Sequence, residues 1–138
     1  MRSSLLSLLS GWLWIDAICV DQENVNERNQ QIGLMADIYT RAVKVVVWLG
    51  PSHHDSDLAI GFARSCGSKE HTLSSQLPLD GKTAVAFRAL CYRPYWTRLW
   101  VYQELMLARQ AELWCGAQMI GWETFMSSIS RVVNLDRD

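Results

Sequence analysis

Apolar and polar positions follow one another in a pattern that predicts strand, helix and strand between residues 13 and 49. Residues 13–20 are apolar except for Asp16, and such a run is typical of a strand buried on both faces. Apolar residues recur at helical spacing over Val25–Arg41, and a β-branched run follows at 43–49. This order predicts a right-handed βαβ unit in which strand 13–18 pairs in parallel with strand 43–49.

The rest of the chain continues with helices and one short strand. Residues 52–82 are rich in Gly, Ser, His, Pro and charge, with one amphipathic piece at 58–63 that could form a short helix, and we interpret them as a surface excursion rather than a domain boundary. The elements predicted beyond it are helices at 83–92, 97–109 and 122–133, and a strand at 112–115. The pattern therefore predicts an α/β fold with a parallel sheet flanked by helices.

Composition agrees with a single globular domain. The 138 residues are 49% hydrophobic and 20% charged, which excludes an intrinsically disordered chain. The 13 basic and 14 acidic side chains give a net charge of −1, so neither nucleic acid nor an anionic membrane is expected as a partner.

Cysteine spacing and the leucine-rich first residues bear on the location of the protein. The four cysteines stand far apart without zinc-site spacing, so we expect no metal site and the reduced thiols of a cytoplasmic protein. The apolar run near the first residue has no signal-peptide cleavage site. It is about 11 residues long, against the roughly 20 that span a bilayer, so no membrane span is expected.

Glu104 is the first candidate for chemistry. The residues three and four positions away on either side of it are all apolar, which predicts a carboxylate that points into an apolar environment. A buried acid needs a partner or shifts its pKa, and such acids cluster at functional sites. Two interpretations follow, a functional acid or a structural ion pair with Arg28 or Arg98.

Asp16 and the polar segment behind it form a second candidate. An acid at the carboxyl end of a buried strand lies where ligands bind in open α/β sheets, although its side chain could equally cap the following turn. Residues 21–31 are dense in hydrogen-bonding groups and either line a cleft or form a solvated helix start. The candidate cleft-lining residues are Asp16, Asp21, Gln22, Glu27, Arg28, Arg98, Trp100 and Gln103.

Four segments resemble the fungal heterokaryon incompatibility (HET) domain. They are Leu-Trp-Ile-Asp-Ala-Ile-Cys-Val-Asp-Gln at 13–22, the helical residues 27–42, the Val-rich strand at 45–50, and Arg-Pro-Tyr-Trp-Thr-Arg-Leu-Trp-Val-Tyr-Gln-Glu at 93–104. The resemblance covers residues 13–125. It implies a protein of filamentous fungi that acts in non-self recognition and in programmed cell death when incompatible strains fuse.

The beginning of the chain departs from the family pattern. HET domains usually open with a strand carrying a Tyr-x-x-Leu-Ser-Tyr-x-Trp-Gly type motif and a helix, whereas residues 1–12 stand in that place here. The resemblance therefore implies an N-terminally truncated domain. Residues 1–12 would be a remnant of the upstream helix or a non-native start, and residues 13–133 a partial HET domain.

The HET domain in turn resembles the Toll/interleukin-1 receptor (TIR) fold, a flavodoxin-like parallel sheet flanked by helices, whose first strand would be missing here. Trp-Val-Tyr-Gln-Glu at 100–104 is similar to the Trp-Cys-x-x-Glu of enzymatic TIR domains, with Val101 in place of the cysteine. This similarity implies that Glu104 supports cleavage of the nicotinamide–ribose bond of NAD by stabilising an oxocarbenium-like state. NAD is thus a candidate substrate, and no resident cofactor is assigned.

Three hypotheses about function remain open at this stage. The first is a signalling or assembly module that works through self-association or protein partners. The second is a TIR-like NAD glycohydrolase that uses Glu104, and the third is an inactive fragment. Because a missing first strand would admit water and loosen the site, little or no NAD cleavage is expected of residues 1–138 alone.

Overall fold

A three-stranded mixed sheet lies at the centre of the computed structural model, which describes residues 11–67 and 80–135, with side chains to residue 133. The strands are β1 (Val45–Trp48), β2 (Ala111–Cys115) and β3 (Gln118–Gly121), in the order β1-β2-β3. β1 and β2 are parallel, with Val45 opposite Ala111, and β2 and β3 are antiparallel. The tight β2–β3 turn requires Gly116, whose φ is 57° and whose absent Cβ would lie 2.8 Å from the Cβ of Ser52.

Seven helical segments surround the sheet in the described part of the chain. They are α1 (Asp16–Cys19), α2 (Val25–Arg41), α3 (Ser56–Gly67), α4 (Gly81–Cys91), a 3₁₀ turn (Pro94–Thr97), α5 (Val101–Met106) and α6 (Trp122–Leu135). α2 begins after Asn24 because the Asn24 side chain accepts hydrogen bonds from the N–H groups of Asn26 and Glu27. Asp80 caps α4 in the same way through the N–H of Thr83.

The sheet, α3, α4 and α6 together form what we call the core layer. α3 packs against both α4 and α6, and these helices bury a cluster of aromatic side chains. Phe87 lies between Phe62 and Phe125, with ring centroids 5.4 and 5.9 Å away. Trp96 stacks on Phe125 at 5.8 Å, so the 3₁₀ turn is tied to the same core.

α1, α2 and α5, with residues 98–100 before α5, form what we call the motif layer. α2 packs against α5, yet Met35 is the single buried residue of α2. Large apolar side chains of all three helices remain exposed, including Ile18, Leu34 and Tyr102. The motif layer is thus much less buried than the core layer.

The α/β fold class and most of the predicted elements are confirmed. The helix at Val25–Arg41, the strand after it, the strand near 112–115 and the last helix all form. The helix predicted at 97–109 is shorter in the structure, because it forms only at Val101–Met106, after a 3₁₀ turn at Pro94–Thr97. Parallel pairing occurs between β1 and β2, and β3 makes the sheet mixed.

The predicted strand at 13–18 is wrong. Residues 16–19 form α1, because the N–H groups of Ile18 and Cys19 bond to the carbonyl of Ile15 and Asp16 Oδ1 accepts the N–H of Ala17. The parallel pairing of residues 13–18 with 43–49 is wrong with it, since within residues 11–67 and 80–135 no strand lies at the other edge of β1. An apolar run without a neighbouring strand closes its hydrogen bonds locally instead.

The predicted surface excursion at 52–82 contains a core helix. α3 buries Ile60 and Phe62 completely or nearly so, and Ala63 and Cys66 with them, so one face of residues 56–67 belongs to the core while Leu58 on the other face is exposed. Its length and apolar spacing identify α3 as core, although the polar residues on either side obscure that signal. Residues 68–79, and residues 1–10 of the proposed remnant, lie outside the described residues.

Candidate functional site

Glu104 is buried at the inner side of α5. Only 5% of its surface is exposed, as its apolar neighbours in sequence predict. The Tyr95 hydroxyl donates a hydrogen bond to Glu104 Oε2 at 2.5 Å. Oε1 accepts no hydrogen bond among the described residues and has an ion-pair contact with Arg98 Nη2 at 3.4 Å. The carboxylate is therefore held by one strong hydrogen bond and one cation.

Arg98 connects Glu104 to Asp16. Its Nη2 atom lies 3.2 Å from Asp16 Oδ2 as well as 3.4 Å from Glu104, and its guanidinium stands 5.5 Å from the centre of the Tyr95 ring. One arginine thus contacts two acids and covers the tyrosine that bonds to one of them. The two residues Asp16 and Arg98 are 82 positions apart, so the contact joins α1 to the start of α5.

Two tyrosines surround the Glu104 carboxylate. Burial, followed by hydrogen bonding to Glu104 and its negative charge, raises the pKa of Tyr95 far above its ordinary value. Burial also raises the pKa of Tyr39, and the charges of Glu104 and Asp16 add to that rise. Both hydroxyls therefore stay protonated at any physiological pH and act as hydrogen-bond donors, not as bases.

A half-open groove of about 200 Å³ lies beside this network. The residues that line it are Trp14, Asp16, Val20, Gln22, Arg28, Gln31, Ile32, Met35 and Trp100. Its volume is below the roughly 300–1,000 Å³ of pockets that hold drug-sized ligands. The groove suits a single ring or side chain, and Glu104 is not among its lining residues.

Half of the predicted cleft-lining residues meet at this groove, namely Asp16, Gln22, Arg28 and Trp100. Arg98 reaches it through Asp16. The other three do not line it. Glu27 Oε1 instead accepts the N–H of Asp21, which closes the start of α2, and Gln103 is exposed on α5. Asp21 and Glu27 thus form the solvated helix start that was one of the two alternatives from the sequence.

The structural ion pair predicted for Glu104 forms with Arg98 and not with Arg28. Arg28 instead donates from Nη1 to the carbonyl of Gln22 at 3.4 Å. Sequence reasoning missed the two tyrosines at Glu104, Tyr39 and Tyr95. The signal available was a hydroxyl-bearing aromatic at an otherwise apolar helical position, which needs a polar partner when it is buried.

Over 11–67 and 80–135, no group of three or more His, Cys, Asp or Glu side chains is arranged to hold a metal ion. No helix in those ranges is both long enough and apolar enough to cross a bilayer. All four cysteines are free thiols.

Comparison with known proteins agrees with the segments that meet at this site. The family model described as "Heterokaryon incompatibility protein (HET)" matches residues 3–104. Heterokaryon incompatibility protein 6, OR allele, of Neurospora crassa is 53% identical over 45 residues, which is 33% of this chain and 7% of that protein. No solved structure matches the chain. Because the family match covers well over half of the sequence, the chain belongs to the heterokaryon incompatibility (HET) family.

Proposed function

We propose that the chain is a signalling and assembly module of a fungal incompatibility system, acting by association with protein partners or with its own copies. In this proposal residues 13–133 form a partial HET domain that works in the cytoplasm and contributes to programmed cell death. The observation that carries the proposal is the exposure of large apolar side chains on the motif layer. Leu99 is 83% exposed and Tyr102 73% exposed.

Large exposed apolar patches mark protein interaction sites, and the number of exposed apolar side chains on this layer supports such a role. Ile18 of α1, Leu34 of α2 and Met106 of α5 belong to the same layer and are exposed as well. The contacts of Arg98 with Asp16 and Glu104 join the elements of this layer. These polar contacts fix the positions of α1 and α5 without requiring that their apolar side chains be buried.

Charge substitution on this surface tests the proposal. We expect the purified chain to form oligomers, measured by size-exclusion chromatography with light scattering, and the double variant Leu99→Lys/Tyr102→Lys to shift toward the monomer. Expression of both proteins in a filamentous fungus should give growth arrest with the parent chain and weaker arrest with the variant. Desolvating two lysines at an interface opposes association strongly.

Val85→Lys provides the matched control, because Val85 is 70% exposed on α4, in the core layer. It should change neither the oligomeric state nor the growth phenotype. A monomeric parent chain whose growth effect is insensitive to Leu99→Lys/Tyr102→Lys would contradict the proposal.

A TIR-like NAD glycohydrolase is the second candidate function. It is favoured by one observation, that Trp100 and Asp16 line the same groove and that Arg98 joins Asp16 to Glu104. Against it stand the small volume of the groove and the enclosure of Glu104 by Tyr95 and Arg98. Of the two functions, the geometry therefore supports assembly better.

A further inference from the structure

Arg93 is a buried cation away from the groove, at the carboxyl ends of the parallel strands. It is 4% exposed, and within the described residues it has no carboxylate partner. Nη1 donates to the carbonyls of Leu49 and Pro51, at 3.3 and 3.1 Å, and Nη2 donates to the carbonyl of His53 at 3.1 Å. Neutral acceptors alone hold this guanidinium, and all three belong to the loop of residues 49–55 between β1 and α3.

The imidazole of His53 completes the contact. Its Nε2 atom is in hydrogen-bond contact with Arg93 Nη1, and its Nδ1 with Nδ1 of His54. A guanidinium can only donate, so Nε2 must accept and the proton of His53 must sit on Nδ1. That proton then points at His54, whose Nδ1 must accept it. The contact of Nε2 with Arg93 is satisfied only while the His53 imidazole is neutral.

The backbone of the same loop is held in an uncommon conformation. His54 and Asp55 have φ values of 52° and 54°, in the left-handed region that side chains other than glycine seldom adopt. Such a conformation persists where neighbouring contacts fix it. The contacts of Arg93 with Leu49, Pro51 and His53 contribute to that restraint on the adjoining residues, so losing one of them favours a different loop conformation.

The other charged and titratable groups around His53 make contacts elsewhere and do not offset the positive charge that Arg93 places beside its imidazole. Asp55 pairs with Lys82 of α4 at 3.6 Å, and Asp57 of α3 accepts a hydrogen bond from Ser52 at 3.2 Å. From β2 the thiol of Cys115 accepts from Arg93 at 3.6 Å. Partial desolvation, then the charge of Arg93, then His54, lower the pKa of His53 below its ordinary value.

We propose that the loop of residues 49–55 is an acid-released latch, closed on Arg93 by neutral His53 and opened when His53 takes up a proton. A protonated imidazole cannot accept from Arg93, and it places a second positive charge against a buried one. Because the pKa of His53 is lower in the closed form than in the open form, protons favour opening. The closed form is most stable above the ordinary imidazole range and loses stability relative to the open form as pH falls below about 6.5.

Amide hydrogen exchange measured by NMR tests this latch in the intact chain. The N–H of Ser56 bonds to the carbonyl of His53, and the N–H of Gly116 to that of Gly50, so both report on loop opening. Between about pH 7.5 and about pH 5, we expect their protection factors to fall about tenfold for each unit by which the pKa of His53 differs between the two forms. The N–H of Leu49, bonded to Trp114 within the sheet, should keep its protection.

Two variants test whether protonation of His53 causes the loss of amide protection. His53→Gln retains an oxygen that accepts from Arg93 but does not titrate, so its loop protection should be independent of pH. His54→Asn tolerates the left-handed backbone and removes one influence that lowers the pKa of His53 in the closed form, so the fall in protection on acidification should be smaller than in the parent chain. An unchanged acid response in His53→Gln, no loss of protection in the parent chain, or equal loss at Leu49 would each overturn the proposal.

Discussion

The core layer and the motif layer are stabilised by different interactions. In the core layer α3, α4 and α6 bury three phenylalanines and a stacked tryptophan, and apolar burial holds the elements together. In the motif layer Met35 is the single buried residue of α2, and Arg98 joins α1 and α5 through two acids. The HET match ends at residue 104, before β2, β3 and α6. The family signature therefore includes the layer that is held by specific polar contacts, and part of the packing that supports it lies beyond the match.

The largest effect is expected from the core layer. Phe125→Ala removes a ring that is 1% exposed and contacts Phe87, Trp96 and Trp122. We expect the free energy of unfolding to fall by about 3–5 kcal/mol, because a cavity remains where the ring packed. Urea denaturation followed by circular dichroism measures this change.

Met126→Ala is the control for that experiment, since Met126 follows directly in α6 and is exposed. Its effect should stay within about 0.5 kcal/mol. Similar losses in both variants would show that α6 is sensitive to any truncation and that the Phe125 cluster is not the main source of stability.

A smaller loss is expected where Tyr95 of the 3₁₀ turn contacts Glu104 of the motif layer. Tyr95→Phe keeps the ring against Trp96 but removes the hydroxyl that donates to Glu104 Oε2. A buried carboxylate then loses its strongest hydrogen bond, which costs about 1.5–3 kcal/mol of unfolding free energy. The same denaturation measurement applies.

Tyr92→Phe serves as the matched substitution, because Tyr92 is exposed at the end of α4 and its hydroxyl has no such role. It should leave stability unchanged. A neutral Tyr95→Phe would mean that Arg98 alone compensates the charge of Glu104, and the polar network would then be unnecessary for the layer.

Within the motif layer, the weakest contact should be the ion pair of Asp16 with Arg98. Both side chains are about two-fifths exposed, so Asp16→Asn should change the global free energy of unfolding by no more than about 1 kcal/mol. The local effect should be larger, with faster amide exchange at Ile18 and Cys19 of α1. Asp37→Asn, on the exposed side of α2, should leave α1 exchange unchanged. Unaltered exchange in Asp16→Asn would show that other contacts hold α1.

Local signals predicted much of this arrangement. The Asn24 cap and the apolar spacing behind it predicted α2, and the apolar neighbours of Glu104 predicted its burial. The strand predicted at 13–18 is wrong, and the sequence could not show this, because an apolar run becomes a strand only if another strand lies beside it. The apolar spacing around Tyr39 indicated that its hydroxyl needs a polar partner, but not that this partner is Glu104. The place of Tyr39 depends on how α2 crosses α5, which no local pattern specifies.

The smallest expected effect concerns NAD. Glu104 is 5% exposed, its carboxylate is engaged by Tyr95 and Arg98, and it does not line the neighbouring groove of about 200 Å³. A catalytic carboxylate must reach the reacting atoms, and a site of this volume cannot enclose a dinucleotide. We therefore expect the purified chain to release no more nicotinamide from NAD than a heat-inactivated sample, measured by chromatography. Glu104→Gln should give the same background, as should Glu123→Gln, which changes an exposed acid of α6. Release that the parent chain and Glu123→Gln share but Glu104→Gln lacks, with all three folded by circular dichroism, would show that the site opens in solution and that Glu104 acts in catalysis.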